Sequence, residues 1–248
     1  MKRMSKKRVK IFYLPFNREV IFGLVALVIL ISLGVTDFDG SRLPEESSVF
    51  TAQIQPYYRG STDTQKVALK INVAWGEDYL PKVLNILQEK NVEGTFFLLG
   101  RWVEKFPQLT EEIKDQGHEI GNHGFYHSQP TQLTDAELRE LIKKNERLIE
   151  EVTGKRTDLF APPYGEVNEE VVQVAEELGY KTILWSADTI DWQRPEPEII
   201  IERALDKIDA GGIILLHPTK PTVEALPQII DKLREQGYEL VTISELIE

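Results

Sequence analysis

From residue 66 onward, short apolar runs alternate with longer stretches in which apolar positions recur every three or four residues. The first pattern marks buried strands, the second amphipathic helices. Residues 67–71 (VALKI) form the first β-prone run. Residues 79–89 follow, with Leu80, Val83, Leu84 and Leu87 at helical spacing. The same alternation predicts further strands over 94–98, 119–122, 159–161, 182–186, 212–216 and 239–241. It predicts helices over 107–116, 134–152, 168–178, 198–208 and 223–236, with 244–248 closing the chain. The helix over 134–152 encodes its own limits. Thr134 is placed as N-cap, Glu137 completes a capping box, and Gly154 is the stop. Seven short strands separated by helices indicate parallel βαβ units. A closed barrel and an open doubly wound sheet both fit. No G-x-G-x-x-G turn follows the first strand, which removes the dinucleotide-binding reading.

Upstream the pattern is different. Residues 20–35 are apolar except for Ser32, with no acid or base among them. A core helix would show polar positions at a 3.6-residue period, and none occur. A cleaved signal peptide needs a small-residue exit site, and Leu33-Gly34-Val35-Thr36 is a poor one. An uncleaved signal-anchor over 20–36 fits best, its length made up by flanking side chains that reach the interface. Charge supports this. Residues 1–19 carry seven basic side chains and one acid, a net +6, so the total of −11 leaves −17 for the rest. The basic tail (1–19) is expected in the cytoplasm and the main domain outside, on a single-pass cell-membrane protein. Residues 37–65, rich in Ser, Thr, Gln, Pro and Gly, read as an extracytoplasmic stalk in which 50–58 is a candidate strand against the domain. The domain proper is 66–248.

Composition then narrows the chemistry. The chain has 248 residues, 42 % of them hydrophobic, which is too apolar for disorder and long enough for one large core. It has no Cys, so it holds no disulfide scaffold, thiolate nucleophile or Cys-ligated metal. Its acidic balance argues against nucleic acid as a partner.

In a barrel, chemistry gathers at the C-terminal ends of the strands, and the unusual residues fall there. Asn72 and Val73 follow the first strand, His123 and His127 the third, Pro162, Pro163 and Tyr164 the fourth. Asp188, Asp191 and Trp192 follow the fifth, and His217 the sixth. Only His118 precedes a strand. His123-Gly124-Phe125-Tyr126-His127 sets two imidazoles four residues apart, close enough to share one metal ion. Gly124 after His123 removes the zincin pattern. Two such histidines serve equally well as structural residues. Asp191 and His217 make an acid–histidine pair of the kind that protonates leaving groups; the plainer alternative is a helix cap and a packed ring.

The stretches GTFFLLG, GHEIGNHGFYH, LFAPPYGEVN, LWSADTIDW and IILLHP occur in the order and spacing of one family. Residues 66–248 resemble the polysaccharide deacetylase, or NodB-homology, family (carbohydrate esterase family four). The membrane-anchored, sporulation-associated members are the most similar. The resemblance implies a distorted (β/α)7 barrel and a divalent metal, usually zinc. It implies hydrolysis of N-acetyl groups on a cell-wall or chitin-like glycan, with an envelope protein as a further candidate partner. It assigns His123 and His127 as metal ligands, His217 as general acid and Asp191 as its partner. Tyr164 would help bind the oxyanion through its backbone N–H. Trp192, Leu215 and Pro163 would line the substrate pocket, Leu215 against the acetyl group.

Four positions depart from the family, one of them Gly124, where the usual residue between the two histidines is Ser or Thr. The family's first motif, T-F-D-D-G, supplies the general base and an Asp metal ligand. This chain has Asn72 at the base position and Val73 at the ligand position. The Arg that orients the catalytic Asp is replaced by Ala161. Asn is no proton acceptor at neutral pH, and Val coordinates nothing. Losing a positioned base alone costs about 10²–10⁴ in rate. The half of the site that serves the leaving group is expected to persist while the half that activates water is missing. Three readings follow: a catalytically silent glycan-binding member of the fold, an active N-deacetylase with Glu77 or Asp78 recruited as replacement carboxylate, or another reaction on the same barrel, which no motif supports. The favoured reading of Asp78 is a cap for the helix after it. Strand alternation also places Lys70 inside the barrel beside Asn72, with Asp188 as its expected ion-pair partner.

Overall fold

The computed structural model describes residues 55–248 apart from Lys207. Eight parallel strands form one sheet in the order β5-β4-β3-β2-β1-β7-β6, with β8 paired to β1. They are β1 (Lys66–Val73), β2 (Thr95–Leu98), β3 (Glu119–Asn122), β4 (Leu159–Phe160), β5 (Lys181–Thr182), β6 (Ala187–Asp188), β7 (Ile213–Leu216) and β8 (Glu239–Val241). The helices are α1 (Leu80–Lys90), α2 (Gly100–Lys105), α3 (Pro107–Asp115), α4 (Asp135–Thr153), α5 (Glu169–Glu177), α6 (Pro197–Asp206), α7 (Lys220–Glu235) and α8 (Ile243–Ile247). The curved sheet with helices against its outer face is a half-barrel, consistent with a distorted (β/α)7 barrel.

Strand β1 organises the structure, and its sequence explains how. Val67, Leu69, Ile71 and Val73 join the outer core under the helices. Ala68 joins the inner core with Phe97, Leu159, Ala161 and Ile213. Both faces are buried, as expected of a central parallel strand. The inner set continues upward to Lys70 and Asn72, so the strand that anchors the core also delivers two polar groups to the barrel's open end.

Helix α4 begins and ends where its caps dictate. Both hydrogen bonds of the Thr134–Glu137 capping box form, and Gly154 closes the helix with φ +70. Elsewhere the structure differs from expectation. The strand predicted over 182–186 is split into β5 and β6. Leu184 N–H donates to Tyr57 O, and Ser186 N–H donates to Ile213 O, so long-range partners claim the residues between. Helix α2 is additional: it is six residues long and opens on glycine, too short for a periodic signal. Asp78 does not cap α1, whose N-cap is Tyr79 without a side-chain bond.

The domain's contacts reach upstream of Lys66. Tyr57 N–H donates to Thr182 O at 2.8 Å, and Gly60 N–H donates to Gly211 O at 2.8 Å. This short segment forms bridges with Ile183, just after β5, and with Gly212, just before β7. Among the described residues no helix is long and apolar enough to cross a membrane. The predicted anchor (20–36), the basic tail and residues 37–54 of the predicted stalk lie outside them.

Candidate functional site

A cavity of about 590 Å³ opens at the C-terminal ends of the strands, the size range of small-ligand sites. Asn72, His123, His127, Tyr164, Trp192 and Leu215 line it, and His217 completes one wall. The sequence-predicted residues therefore converge. Pro163 is the exception among the pocket residues: it is buried and does not line the cavity. It opens the 3-10 turn Pro163–Gly165, which leaves Tyr164 exposed at φ +60.

Backbone strain collects around the cavity. Among the described residues four non-glycine positions have positive φ. Asn91 is a helix C-cap, while Tyr164, Ile190 and Arg194 belong to the turns at the site. Ile190 is β-branched at φ 53, a conformation such residues rarely adopt. It immediately precedes Asp191, so the strained turn sets that carboxylate's position.

Asp191 is fully buried and accepts three hydrogen bonds. His217 Nδ1–H donates to Oδ1 at 2.7 Å. The His217 backbone N–H and the Thr222 hydroxyl donate to Oδ2 at 2.6 and 2.7 Å. An ionised carboxylate only accepts, so the ring proton sits on Nδ1 and Nε2 is the free nitrogen. Trp75 stacks on the same imidazole, with ring centroids 5.8 Å apart and planes 5° from parallel. The arrangement fixes an imidazole that can exchange a proton through one defined atom.

His123 and His127 lie with ring centroids 5.2 Å apart. His123 Nδ1 bonds Ala161 O at 2.7 Å, which aims Nε2 away from that contact. Burial, with the neighbouring His127 second, holds the His123 pKa well below the ordinary histidine range. Burial, then His217, lowers that of His127. Both are neutral at pH 7, the form that ligates metals. Gly124 between them has φ +78, and a Cβ there would come within 3.1 Å of Leu141. This accounts for glycine at that position.

The family's metal requires a third donor, and the residues present do not supply it. Val73 is fully buried in the outer core. Ala161 is likewise buried, and only its carbonyl reaches the site. Glu77 and Asp78, the expected substitutes, do not line the cavity; Glu77 lies 4.0 Å from Lys105. Among the described residues no group of three or more His, Asp or Glu is placed to hold a metal ion. The donor set is therefore two imidazoles, fewer than a catalytic zinc uses.

Lys70 lies inside the barrel, as strand alternation requires, but the expected ion pair with Asp188 does not form. Its Nζ has no hydrogen-bond partner. It faces the rings of Trp185 at 4.7 Å and Phe97 at 5.2 Å instead. Asp188 Oδ1 accepts the Ile190 N–H at 2.9 Å and acts on Lys70 only through space. Burial pushes the Lys70 pKa down to about 7, against the opposing pull of Asp188.

Sequence reasoning missed three residues of the site: Trp75, Thr222 and Trp185. Trp75 carried one usable signal, an aromatic two residues beyond a strand end. Trp185 packs on the backbone of Gly165, where a Cβ would lie 2.3 Å from the indole. Nothing local marks that contact, nor Thr222's bond to Asp191.

The polysaccharide deacetylase family matches residues 59–183. The chain belongs to that family. It is 43 % identical over 196 residues to the uncharacterized protein YlxY of Bacillus subtilis, covering 79 % of this chain and 61 % of that one. It therefore spans under two thirds of that relative. A peptidoglycan-N-acetylglucosamine deacetylase of Bacillus cereus is 38 % identical over 68 % of this chain and 82 % of its own. Among solved structures, BA3943, described as a CE4 family pseudoenzyme from Bacillus anthracis, superposes with a TM-score of 0.77. It is 44 % identical, covering 78 % of this chain and 69 % of that one. A mutant of the same protein is described as having restored enzymatic activity.

Proposed function

We propose that this chain acts at the cell envelope, where it binds N-acetylated cell-wall glycan and has lost deacetylase activity, wholly or nearly so. One observation carries the reading: the end of β1 presents an amide and a core aliphatic, Asn72 and Val73, where the family's chemistry needs two carboxylates. Glycan as the ligand is supported by the B. cereus relative, whose name gives peptidoglycan as substrate. Loss of activity is supported by the likeness to a protein described as a pseudoenzyme. The apolar segment 20–36 and the +6 tail before it support a single-pass anchor with the domain outside. Cell-wall or spore-wall assembly is the setting that suits such a molecule.

The test is acetate release from peptidoglycan and chitooligosaccharide by the full-length protein. The expected result is no release above a His217→Ala control. Turnover above that control refutes the reading. Combining Asn72→Asp, Val73→Asp and Ala161→Arg is expected to produce divalent-metal-dependent release, because Asp191 and His217 are already in place.

A further inference from the structure

Lys70 brings a charge into the barrel that the Asp191–His217 unit does not use. It is fully buried on β1, in register with Thr95 of β2 and Leu215 of β7. Among the described residues its Nζ has no hydrogen-bond partner, and it faces the rings of Trp185 and Phe97. Trp185 and Leu215 belong to the same cavity wall as His123 and His127. An ammonium therefore lies against that wall with no water to screen it. Its charge reaches the imidazoles. The His123 pKa is lowered first by burial and then by His127, and Lys70 lowers it further. A charge that opposes a proton on His123 opposes a divalent ion there more strongly, because the ion carries two charges. The sequence points the same way. Lys70 stands where the first motif of the family has Thr, and Asn72 and Val73 stand where it has two carboxylates. All three differences make this end of the barrel more positive. Packing does not call for a lysine, since a methionine fills a similar space without a buried charge.

We propose that the Lys70 ammonium and a divalent cation exclude one another in this cavity, so that Lys70 selects against metal at the His123–His127 pair. This opposition is separate from the missing third donor and does not depend on the glycan-binding reading. It has a defined exchange: Lys70 must give its Nζ proton to solvent before the two imidazoles can take a dication, and it regains that proton when the ion leaves. The direction with pH follows. The lysine's pKa is about 7, lowered by burial against the pull of Asp188, so the ammonium predominates below that value and the amine above it. The apparent affinity for the ion is divided by 1 + 10^(pKa − pH), a factor of about eleven at pH 6 and about one at pH 8. Other titratable groups surround Lys70: Asp188 on β6, Glu119 bonded to Thr95, the two imidazoles, and the Asp191–His217 pair. Arg194 also lines the cavity. All of them are common to the parent and to a Lys70 variant, so a comparison of the two at each pH isolates the lysine.

The experiment is calorimetric titration of the full-length protein, in detergent, with zinc chloride. It is run at pH 6 and pH 8, each in two buffers of different ionisation enthalpy, so that proton release is counted with affinity. The parent is compared with Lys70→Met and Lys70→Gln. At pH 6 both variants are expected to bind zinc about tenfold more tightly than the parent and to release about one proton fewer per zinc. At pH 8 affinities and proton counts should converge. A purely structural effect of the substitution would change affinity alike at both pH values and leave proton release as it was. Near-UV circular dichroism establishes that each variant is folded. Equal affinity at pH 6, equal proton release at pH 6, a gain of the same size at pH 8, or no zinc binding by either variant at millimolar concentration overturns the inference. Acetate release and glycan binding are not read in this titration, so the envelope reading stands or falls separately.

Discussion

Asp191 accepts three hydrogen bonds from two residues, while Lys70 Nζ and Asn72 Oδ1 make none. All three side chains are buried at the same end of one barrel. The contrast separates two kinds of polar burial. Around Asp191 every acceptor site that the fold covers is answered by a donor, and the result is a fixed imidazole. At the end of β1 the two polar side chains find no such partners inside the protein. One side fixes a proton-handling unit; the other buries an amide oxygen and an amine that have no partner.

Removing Asp191 should produce the largest change. Asp191→Ala strands the His217 backbone N–H and the Thr222 hydroxyl and frees the ring from its tautomer. Breaking a buried, hydrogen-bonded charge costs about 3–5 kcal/mol, and urea denaturation should read a loss of that order. A loss under about 1 kcal/mol would show that the Asp191 network is not what holds this side together.

Lys70 should act in the opposite direction. Lys70→Met keeps the chain length and removes an unpartnered buried ammonium, so a gain of about 1–4 kcal/mol is expected at pH 7 and below. The sign with pH follows from proton counts. The lysine's pKa falls from 10.5 in the unfolded chain to about 7 in the folded one. Between those values the unfolded state holds the extra proton, so stability rises with pH across the window. Lys70→Met should flatten that rise. Equal slopes in the two proteins would mean that Lys70 reaches water or a partner in solution.

How much of this could be read from residues alone depends on where the information lies. Helix α4 was legible to within a residue because Thr134, Glu137 and Gly154 act on their own neighbours. The ends of strands β1, β3 and β7 were legible for a similar reason, and they carry Asn72, His123 and His217. The division of 182–188 into two strands was not, since Tyr57 and Ile213 impose it from 127 and 27 residues away in sequence, through Leu184 N–H and Ser186 N–H. Lys70 was correctly turned inward by alternation, yet its missing ion pair depends on Asp188 spending an oxygen on Ile190 N–H. That competition exists only once the strained turn has formed.

A smaller effect should come from Thr222→Val, which keeps the shape and removes one of the three bonds to Asp191. Loss of a single hydrogen bond to a charged group costs about 1.5–3 kcal/mol, less if water replaces it. Unlike Asp191→Ala, it should leave the His217 ring held through Nδ1. Nitrogen NMR of His217 should therefore show the same tautomer as in the parent protein, and a changed tautomer would make Thr222 part of the imidazole's support.

The smallest effect concerns the other side. His123 and His127 are neutral at pH 7, and their third partner in the family's design is Val73, buried in the outer core. A ligand stabilises the fold by RT ln(1 + [L]/Kd), so a site with two donors and weak affinity contributes about 0.4 kcal/mol even when the zinc concentration equals Kd. Zinc at 100 μM, or a chelator, should move the melting temperature by less than about 2 °C. The Val73→Asp variant provides the contrast. Without metal it carries an unpaired carboxylate in an apolar layer and should melt lower than the parent. With zinc, that carboxylate gains a partner if β1 can turn it towards the two imidazoles, and the melting temperature should recover. Recovery in the variant alone would place the whole difference between the two sides of the cavity in the carboxylates missing from β1. A large zinc shift in the parent protein would show instead that a donor beyond Val73's position completes the site.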